Sequence, residues 1–157
     1  FRLATTLARL RSIVGLSALR HDKRFELIVQ SASMQLGTPI PILRIFDEAK
    51  AKEFYLDFLG FRLDWEHRFE AHLPLYMQIS KDRCILHLSE HHGDCSPGAA
   101  MRIETTGLDA FQRQLAAKQY RYARPTIDLT PWDSHDMSVT DPFGNRLTFT
   151  DTRGTQS

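Results

Sequence analysis

Two stretches that lie far apart in the chain follow the same plan, and this repeat limits the possible folds most strongly. They are LYMQISKDRCILHLSE (75–90) and DMSVTDPFGNRLTFTD (136–151), and each has two strand-like runs joined by a short turn. Such a pattern predicts a β-hairpin, and both hairpins follow a strand, a helix and a further strand. The chain therefore resembles a duplication of one βαβββ unit. Two such units have to pack together in order to bury their sheets.

The signals for the individual elements are regular from Met34 onward. In the first unit, TPIPILRIF predicts an edge strand because it contains two prolines, and FRLDWEHRF predicts a second strand. DEAKAKEFYLDFLGF predicts a helix that begins after Asp47 and ends at Gly60. In the second unit, AAMRIET, GLDAFQRQLAAKQY and RYARPTI predict a strand, a helix and a short strand. We expect an α+β fold with modules at about 38–92 and 99–151.

The first 33 residues differ from the rest in charge. They contain six Arg or Lys and two acidic residues, a net charge of +4, whereas the whole chain has a net charge of +1. A basic segment of this kind resembles an organellar transit peptide. The alternative is that Met34 is the natural start and that the preceding residues are a non-native extension. We favour the second interpretation and take 34–157 as the folded domain, with a cytoplasmic location expected; the first interpretation implies an organellar one.

Composition and motifs exclude several classes of function. Residues 34–157 carry a net charge of −3 and lack the clustered Lys and Arg that bind phosphates, so nucleic acid is not an expected partner. No stretch approaches the ~18 consecutive apolar residues of a membrane span. The two cysteines, Cys84 and Cys95, form no C-x-x-C pair, which favours a reducing compartment. There is no nucleophile elbow and no Gly-rich phosphate loop.

From about Thr38 to Asp151 the chain resembles the vicinal oxygen chelate superfamily, which includes glyoxalase I, extradiol dioxygenases and bleomycin resistance proteins. The resemblance rests on FYLDFLGF after the first strand and on DPFGNRLTFTD at the end, with the repeat between them. It implies paired βαβββ modules that form a curved mixed sheet around a cavity, commonly in a homodimer. It does not identify an activity.

The resemblance also implies four positions for metal ligands, on four strands that line the cavity. In this chain they fall on Ile40, His87, Ala100 and Thr148. Divalent ions in such sites are held by imidazole and carboxylate donors, and only His87 offers one. We therefore predict no metal and no cofactor. His87 is then either a hydrogen-bond partner of a bound molecule or a polar residue that touches no ligand.

The segment HHGDCSPG (91–98) follows the His87 strand and contains two further histidines. Adjacent histidines can bind zinc adventitiously. The glycines and the proline of this segment predict a loop, however, and we favour a solvated linker between the two modules.

A small-molecule site is predicted from aromatic, cationic and polar side chains on or beside the cavity strands: Trp65, Phe69, His87, Arg102, Trp132, Arg146 and Thr148. Aromatic rings supply stacking area, and polar groups fix the orientation of a partly planar ligand. Alternatively, Trp65 and Trp132 fill a dimer interface.

By its resemblance to the bleomycin resistance proteins, the chain is expected to be a metal-free homodimer that sequesters a cationic, bleomycin-type glycopeptide without catalysis. The alternatives are a metal-dependent glyoxalase-type lyase or extradiol-type dioxygenase of the same superfamily, and a sensor or scaffold protein with an empty cavity.

Overall fold

The computed structural model describes residues 34–151, so the basic segment 1–33 lies outside the described residues. Within this range the elements follow the order of the predicted repeat: β1 (Ile42–Arg44), α1 (Glu48–Lys52) with a π-helical continuation (Glu53–Phe58), β2 (Arg62–His67), β3 (Tyr76–Lys81), β4 (Cys84–Ser89), β5 (Ala100–Glu104), α2 (Leu108–Ala117), β6 (Asp128–Leu129), β7 (His135–Thr140) and β8 (Arg146–Asp151). None of the helices in this range has the length and apolar character that a membrane-spanning helix requires.

The strands form two four-stranded mixed sheets. Sheet 1 has the order β1-β4-β3-β2, and sheet 2 has the order β5-β8-β7-β6. In each sheet the first strand of the module is parallel to the last one, and the other neighbours are antiparallel. A duplicated βαβββ unit requires this identical order, so the predicted α+β fold is confirmed. The limits of the modules in the sequence stay a prediction.

The first helix begins as predicted but changes its geometry after one turn. Asp47 caps α1, because its carboxylate accepts a hydrogen bond of 2.9 Å from the backbone nitrogen of Lys50. From Glu53 the helix is π-helical, and Leu59 N accordingly donates to Phe54 O, five residues earlier. Gly60 then ends the helix with a φ of 75°, a conformation that favours glycine.

The prediction of a strand over RYARPTI (121–127) is wrong. These residues form no strand, and the edge strand of sheet 2 forms immediately after them, at Asp128–Leu129. Pro125 lies within the predicted segment and has no N–H group for a ladder of hydrogen bonds, so pairing begins only beyond it.

One face of each sheet packs into a common apolar core with the helices. Its fully buried side chains include Tyr55 from the π-helical segment, Met77 and Leu88 from sheet 1, and Met137 and Leu147 from sheet 2. Strand alternation turns the intervening residues to the opposite side, which we call the outer face of each sheet. The two outer faces carry most of the candidate functional residues.

A buried polar network joins the two modules beside this core. The Tyr55 hydroxyl donates to Asp141 Oδ2 at 2.7 Å, and Asn145 Nδ2 donates to the same carboxylate oxygen at 2.7 Å. Asn145 Nδ2 also donates to the backbone oxygen of Arg44 at 2.7 Å. The motif DPFGN therefore connects the last hairpin to the first strand and the first helix.

Candidate functional site

The outer face of sheet 1 is organised in rows that the strand register defines. One row contains Ile42, His87, Gln78 and Trp65, each opposite the next on the neighbouring strand. The adjacent row contains Arg44, Ser89, Tyr76 and His67. Ile40, which the sequence placed at the first metal position, precedes β1, and the β1 residue opposite His87 is Ile42.

A chain of hydrogen bonds crosses these rows. The Tyr76 hydroxyl lies 2.7 Å from His87 Nδ1, and His87 Nε2 lies 3.0 Å from Gln78 Oε1. Gln78 Nε2 donates to Asp64 Oδ2 at 3.0 Å, and Ser80 Oγ donates to Asp64 Oδ1 at 2.9 Å. We call Tyr76, His87, Gln78 and Asp64 the relay. It ties both ring nitrogens of His87 to partners on β3.

Aromatic rings surround the relay on its exposed side. Trp65 is stacked on Tyr76, with ring centroids 6.0 Å apart and an interplanar angle of 13°, and it meets His87 edge-on at 5.4 Å. The indole is 43% exposed, so a large part of its surface is accessible. Phe69, in the loop after β2, is 75% exposed and packs edge-on against His67 at 4.9 Å. Exposed rings at this density favour the binding of a planar molecule.

The protonation of the relay is shifted by its surroundings. Hydrogen bonds from Gln78 and Ser80 lower the pKa of Asp64 below its ordinary value; burial opposes them, and Arg62 adds a smaller lowering effect. Burial lowers the pKa of His87, because it disfavours the charged imidazolium. At neutral pH the relay therefore combines an ionised carboxylate with a neutral imidazole.

The outer face of sheet 2 is polar rather than aromatic. Arg102 donates to Asp136 Oδ2 at 2.7 Å and to Thr150 Oγ1 at 2.8 Å. Burial opposes the ionisation of Asp136, but hydrogen bonds from Arg102 and other neighbours prevail and lower its pKa. Thr148 shares a hydrogen bond of 2.8 Å with Ser138. These side chains offer hydroxyl groups and one ion pair to whatever covers this face.

Arg44 borders a cavity at the edge of sheet 1. The cavity has a volume of about 380 Å³ and is lined by Arg44, Phe46 and residues of the linker between the modules (92–97). The guanidinium lies over the Phe46 ring at 4.9 Å, and its Nη1 atom is buried without a hydrogen-bond partner among the described residues. Of the two linker histidines, His92 thus lines this cavity.

A divalent metal does not fit the four positions that the family resemblance assigns to ligands. Both nitrogens of His87 are engaged in the relay, and Thr148 is bound to Ser138. Ala100 and Ile40 have no donor atom in their side chains, and neither has Ile42, the β1 residue opposite His87. Among residues 34–151, no group of three or more His, Cys, Asp or Glu side chains is placed to hold a metal ion.

The structure divides the seven predicted ligand-binding residues into separate groups. Trp65 and His87 touch each other on the outer face of sheet 1, whereas Phe69, in the loop after β2, packs against His67. Arg102, Arg146 and Thr148 lie on the strands of sheet 2. Trp132 is 67% exposed in the turn before β7. The contacts described above stay within one sheet or the other, and whether these residues bind a ligand stays a prediction.

The sequence-based prediction of the binding site did not include three members of the relay, Tyr76, Gln78 and Asp64. The alternation of YMQIS (76–80) was sufficient to place Tyr76 and Gln78 on one side of β3 and Met77 and Ile79 on the other. Their pairing opposite the His87 strand follows from the hairpin turn between β3 and β4. The strand register therefore allows Tyr76 and Gln78, which are two members of the relay, to be predicted from the sequence.

Comparison with protein families gives one clear match. Residues 28–156 match a family described as glyoxalase superfamily protein. A comparison with curated proteins finds no match.

Solved structures with the same fold include proteins described as antibiotic-binding or as bleomycin resistance determinants. TnmS3, an antibiotic binding protein from Streptomyces sp. CB03234, is similar with a TM-score of 0.59 at 22% identity, over 76% of this chain and 98% of that one. A bleomycin resistance determinant encoded on the transposon Tn5 has a TM-score of 0.58 at 17% identity, over 76% and 100%. A bleomycin-binding protein complexed with bleomycin has a TM-score of 0.56 at 19% identity, over 74% and 98%. At these identities the similarity establishes the fold alone.

Proposed function

Because the chain belongs to the glyoxalase superfamily, we propose that it is a metal-free member that sequesters a bleomycin-type antibiotic or a similar small molecule. It protects by binding the molecule stoichiometrically, and it makes or breaks no bond. The proteins of like fold include an antibiotic binding protein, a bleomycin-binding protein and a bleomycin resistance determinant, and these support the assignment. The two free cysteines, Cys84 and Cys95, support a reducing, cytoplasmic location.

The observation that carries the proposal is the engagement of His87. It is the one strong donor among the four inherited metal positions, and both of its nitrogens are bound to neighbouring side chains. A metal ligand needs one ring nitrogen free for the ion. The residues that remain accessible around His87 are aromatic, which suits stacking of a ligand better than coordination of an ion.

The ligand groove in this proposal lies between two copies of the chain. The aromatic outer face of sheet 1 in one copy is covered by the polar outer face of sheet 2 in its partner. This arrangement unites Trp65, Phe69 and His87 with Arg102, Arg146, Thr148 and Trp132 in one groove. It also removes part of the exposed surface of Trp65 and Trp132 from water.

Size-exclusion chromatography coupled to light scattering is expected to give the mass of two chains. Arg102→Glu is expected to shift the protein toward one chain, because it replaces the positive member of the ion pair with Asp136 by a negative charge on the covered face. Arg113→Glu, on α2 and away from both outer faces, serves as the control. A wild-type mass of one chain at the concentrations used for ligand titration contradicts the dimeric groove.

Metal analysis separates this proposal from a metal-dependent lyase or dioxygenase. Protein purified without a histidine tag is expected to contain far less than one equivalent of nickel, zinc or iron, and His87→Ala is expected to leave that content unchanged. Elemental analysis by mass spectrometry measures both. A stoichiometric metal that His87→Ala removes would show that the relay opens to coordinate an ion and would overturn the proposal.

A further inference from the structure

The hydrogen bonds of the relay on sheet 1 have a defined order of donors and acceptors. The charge of Asp64, at one end of the relay, sets this order, which we call its direction. An ionised carboxylate accepts hydrogen bonds and cannot donate them, and Asp64 accepts from Gln78 Nε2, Ser80 and Arg62. Gln78 therefore turns its amide nitrogen toward Asp64 and its carbonyl oxygen toward His87. The orientation of the Gln78 side chain thus follows from the charge of its neighbour.

The same reasoning fixes the tautomer of His87. Gln78 Oε1 can only accept, so the His87 Nε2 atom 3.0 Å away carries a proton. The imidazole is neutral at neutral pH, because burial opposes a second proton and lowers its pKa. Nδ1 is therefore an acceptor, and the Tyr76 hydroxyl at 2.7 Å donates its only proton to it.

Tyr76 consequently has no proton left for a ligand and presents only lone pairs to the outer face. We infer that this face selects ligands carrying a planar N–H donor, such as an amidine, guanidine or amino-substituted heterocycle, which bonds to Tyr76 Oη while its ring system stacks on Trp65. The stacked arrangement of Trp65 on Tyr76 brings the acceptor and the accessible indole together. The inference rests on the proposed function in one respect, namely that this face is where the ligand binds.

The charges around Tyr76 favour a cationic donor. Burial raises the pKa of Tyr76 most, and the Asp94 carboxylate on the linker raises it further. From the neighbouring strands, His67 on β2 lies opposite Tyr76, and Arg44 lies beyond Ser89 on β1. The Arg44 guanidinium lies over Phe46, toward the linker cavity. The carboxylate of Asp94 is accordingly the charge that acts on Tyr76 most strongly.

Acidification is expected to change Tyr76 from a hydrogen-bond acceptor into a hydrogen-bond donor toward the ligand. As the pH falls through the lowered pKa of His87, Nδ1 gains a proton and donates it to Tyr76 Oη. The Tyr76 hydroxyl hydrogen then points away from His87 and toward the ligand. A donor ligand faces a donor and an additional positive charge, so its affinity falls at acid pH, and that of an acceptor ligand rises. The variant His87→Asn, which keeps His67 and His91 beside the same ring cluster, is expected to abolish this reversal.

The direction of the relay can be measured without any ligand. Nitrogen NMR of the histidine side chains, with the His87 signals assigned from His87→Asn, is expected to show a protonated Nε2 and an unprotonated Nδ1 at neutral pH. The opposite tautomer, or a doubly protonated ring, would overturn the inference. Neither outcome depends on whether the protein binds bleomycin, so a failure of this inference is distinguishable from a failure of the proposed function.

The selectivity is measured with two probes of similar shape: benzamidine, which is a cationic hydrogen-bond donor, and benzoate, which is an anionic hydrogen-bond acceptor. Each is titrated while the indole N–H resonances of the two tryptophans are followed, with Trp→Phe variants for assignment. Benzamidine is expected to shift the Trp65 resonance and to bind more tightly than benzoate at neutral pH. Tyr76→Phe, which keeps the ring but removes the acceptor, is expected to weaken benzamidine about tenfold or more.

Tyr122→Phe is the matched control, because Tyr122 is 63% exposed and lies outside both sheets. It is expected to leave benzamidine binding unchanged. Equal affinity for the two probes, or equal weakening by Tyr76→Phe and Tyr122→Phe, would refute the selection of donor ligands. Preference for benzamidine with no binding of bleomycin would leave the inference intact and remove the antibiotic from the proposed function.

Discussion

Asp141→Ala is expected to lower the free energy of unfolding by about 3 to 5 kcal/mol. Asp141 is 5% exposed, and its carboxylate accepts hydrogen bonds from the Tyr55 hydroxyl, from Asn145 Nδ2, and from the backbone nitrogens of Phe143 and Asn145. Burial raises the pKa of Tyr55 well above its ordinary value, so its hydroxyl stays a donor in need of a partner. The variant leaves these donors buried without their acceptor. Urea unfolding followed by circular dichroism measures the change.

Two further variants show whether the loss comes from the network. Tyr55→Phe removes one donor and leaves Asp141 with three hydrogen bonds, and it is expected to cost about 1 to 2 kcal/mol. Asp57→Ala removes an exposed carboxylate from the π-helical segment and is expected to change stability by less than about 0.5 kcal/mol. If Asp141→Ala costs no more than Asp57→Ala, the network does not hold the modules together.

Trp65→Ala is expected to weaken binding of the antibiotic about 30-fold or more, equivalent to about 2 kcal/mol. The indole is 43% exposed on the outer face of sheet 1, and it also positions Tyr76 by stacking on it. Truncation removes the ring on which the ligand stacks, and it leaves the Tyr76 ring without its stacking partner. Isothermal titration calorimetry with bleomycin measures the affinity, and thermal unfolding checks that the variant is folded.

The control for this prediction is Tyr122→Ala, which removes an exposed ring elsewhere on the surface. It is expected to leave the affinity within about twofold of the wild type, because scattered surface residues contribute little. A loss of similar size in both variants would indicate a general effect of lost aromatic surface. An unchanged affinity in Trp65→Ala would move the binding site away from sheet 1.

The fold was predictable from the sequence because its signals are local and are repeated. The alternation in CILHLS (84–89) places His87 on one face of β4 and Leu86 and Leu88 on the other face. The structure agrees, because both leucines are buried in the core. The turn motif DPFGN marks the last hairpin for a comparable reason, since its residues specify a turn over a few positions. Patterns of this kind need no knowledge of long-range contacts.

The relay was harder to predict, because it depends on an irregularity in β2. The register of β2 against β3 shifts between Leu63 and Trp65, so that one extra residue, Asp64, is inserted. Asp64 reaches Gln78, and Trp65 reaches Tyr76, although strict alternation puts consecutive residues on opposite faces. A β-bulge of this kind has no reliable signature in one sequence. The direction of the relay then follows from contacts that only the three-dimensional arrangement provides.

Titration calorimetry measures whether the chain binds a bleomycin-type molecule without a metal of its own. Untagged protein is treated with a chelator, dialysed and titrated with metal-free bleomycin. We predict saturable binding with a dissociation constant in the micromolar range or below, at a stoichiometry set by the chain, with the drug recovered chemically unchanged. No saturable heat at micromolar drug, or binding that appears only after a divalent metal is restored to the protein, would contradict the account.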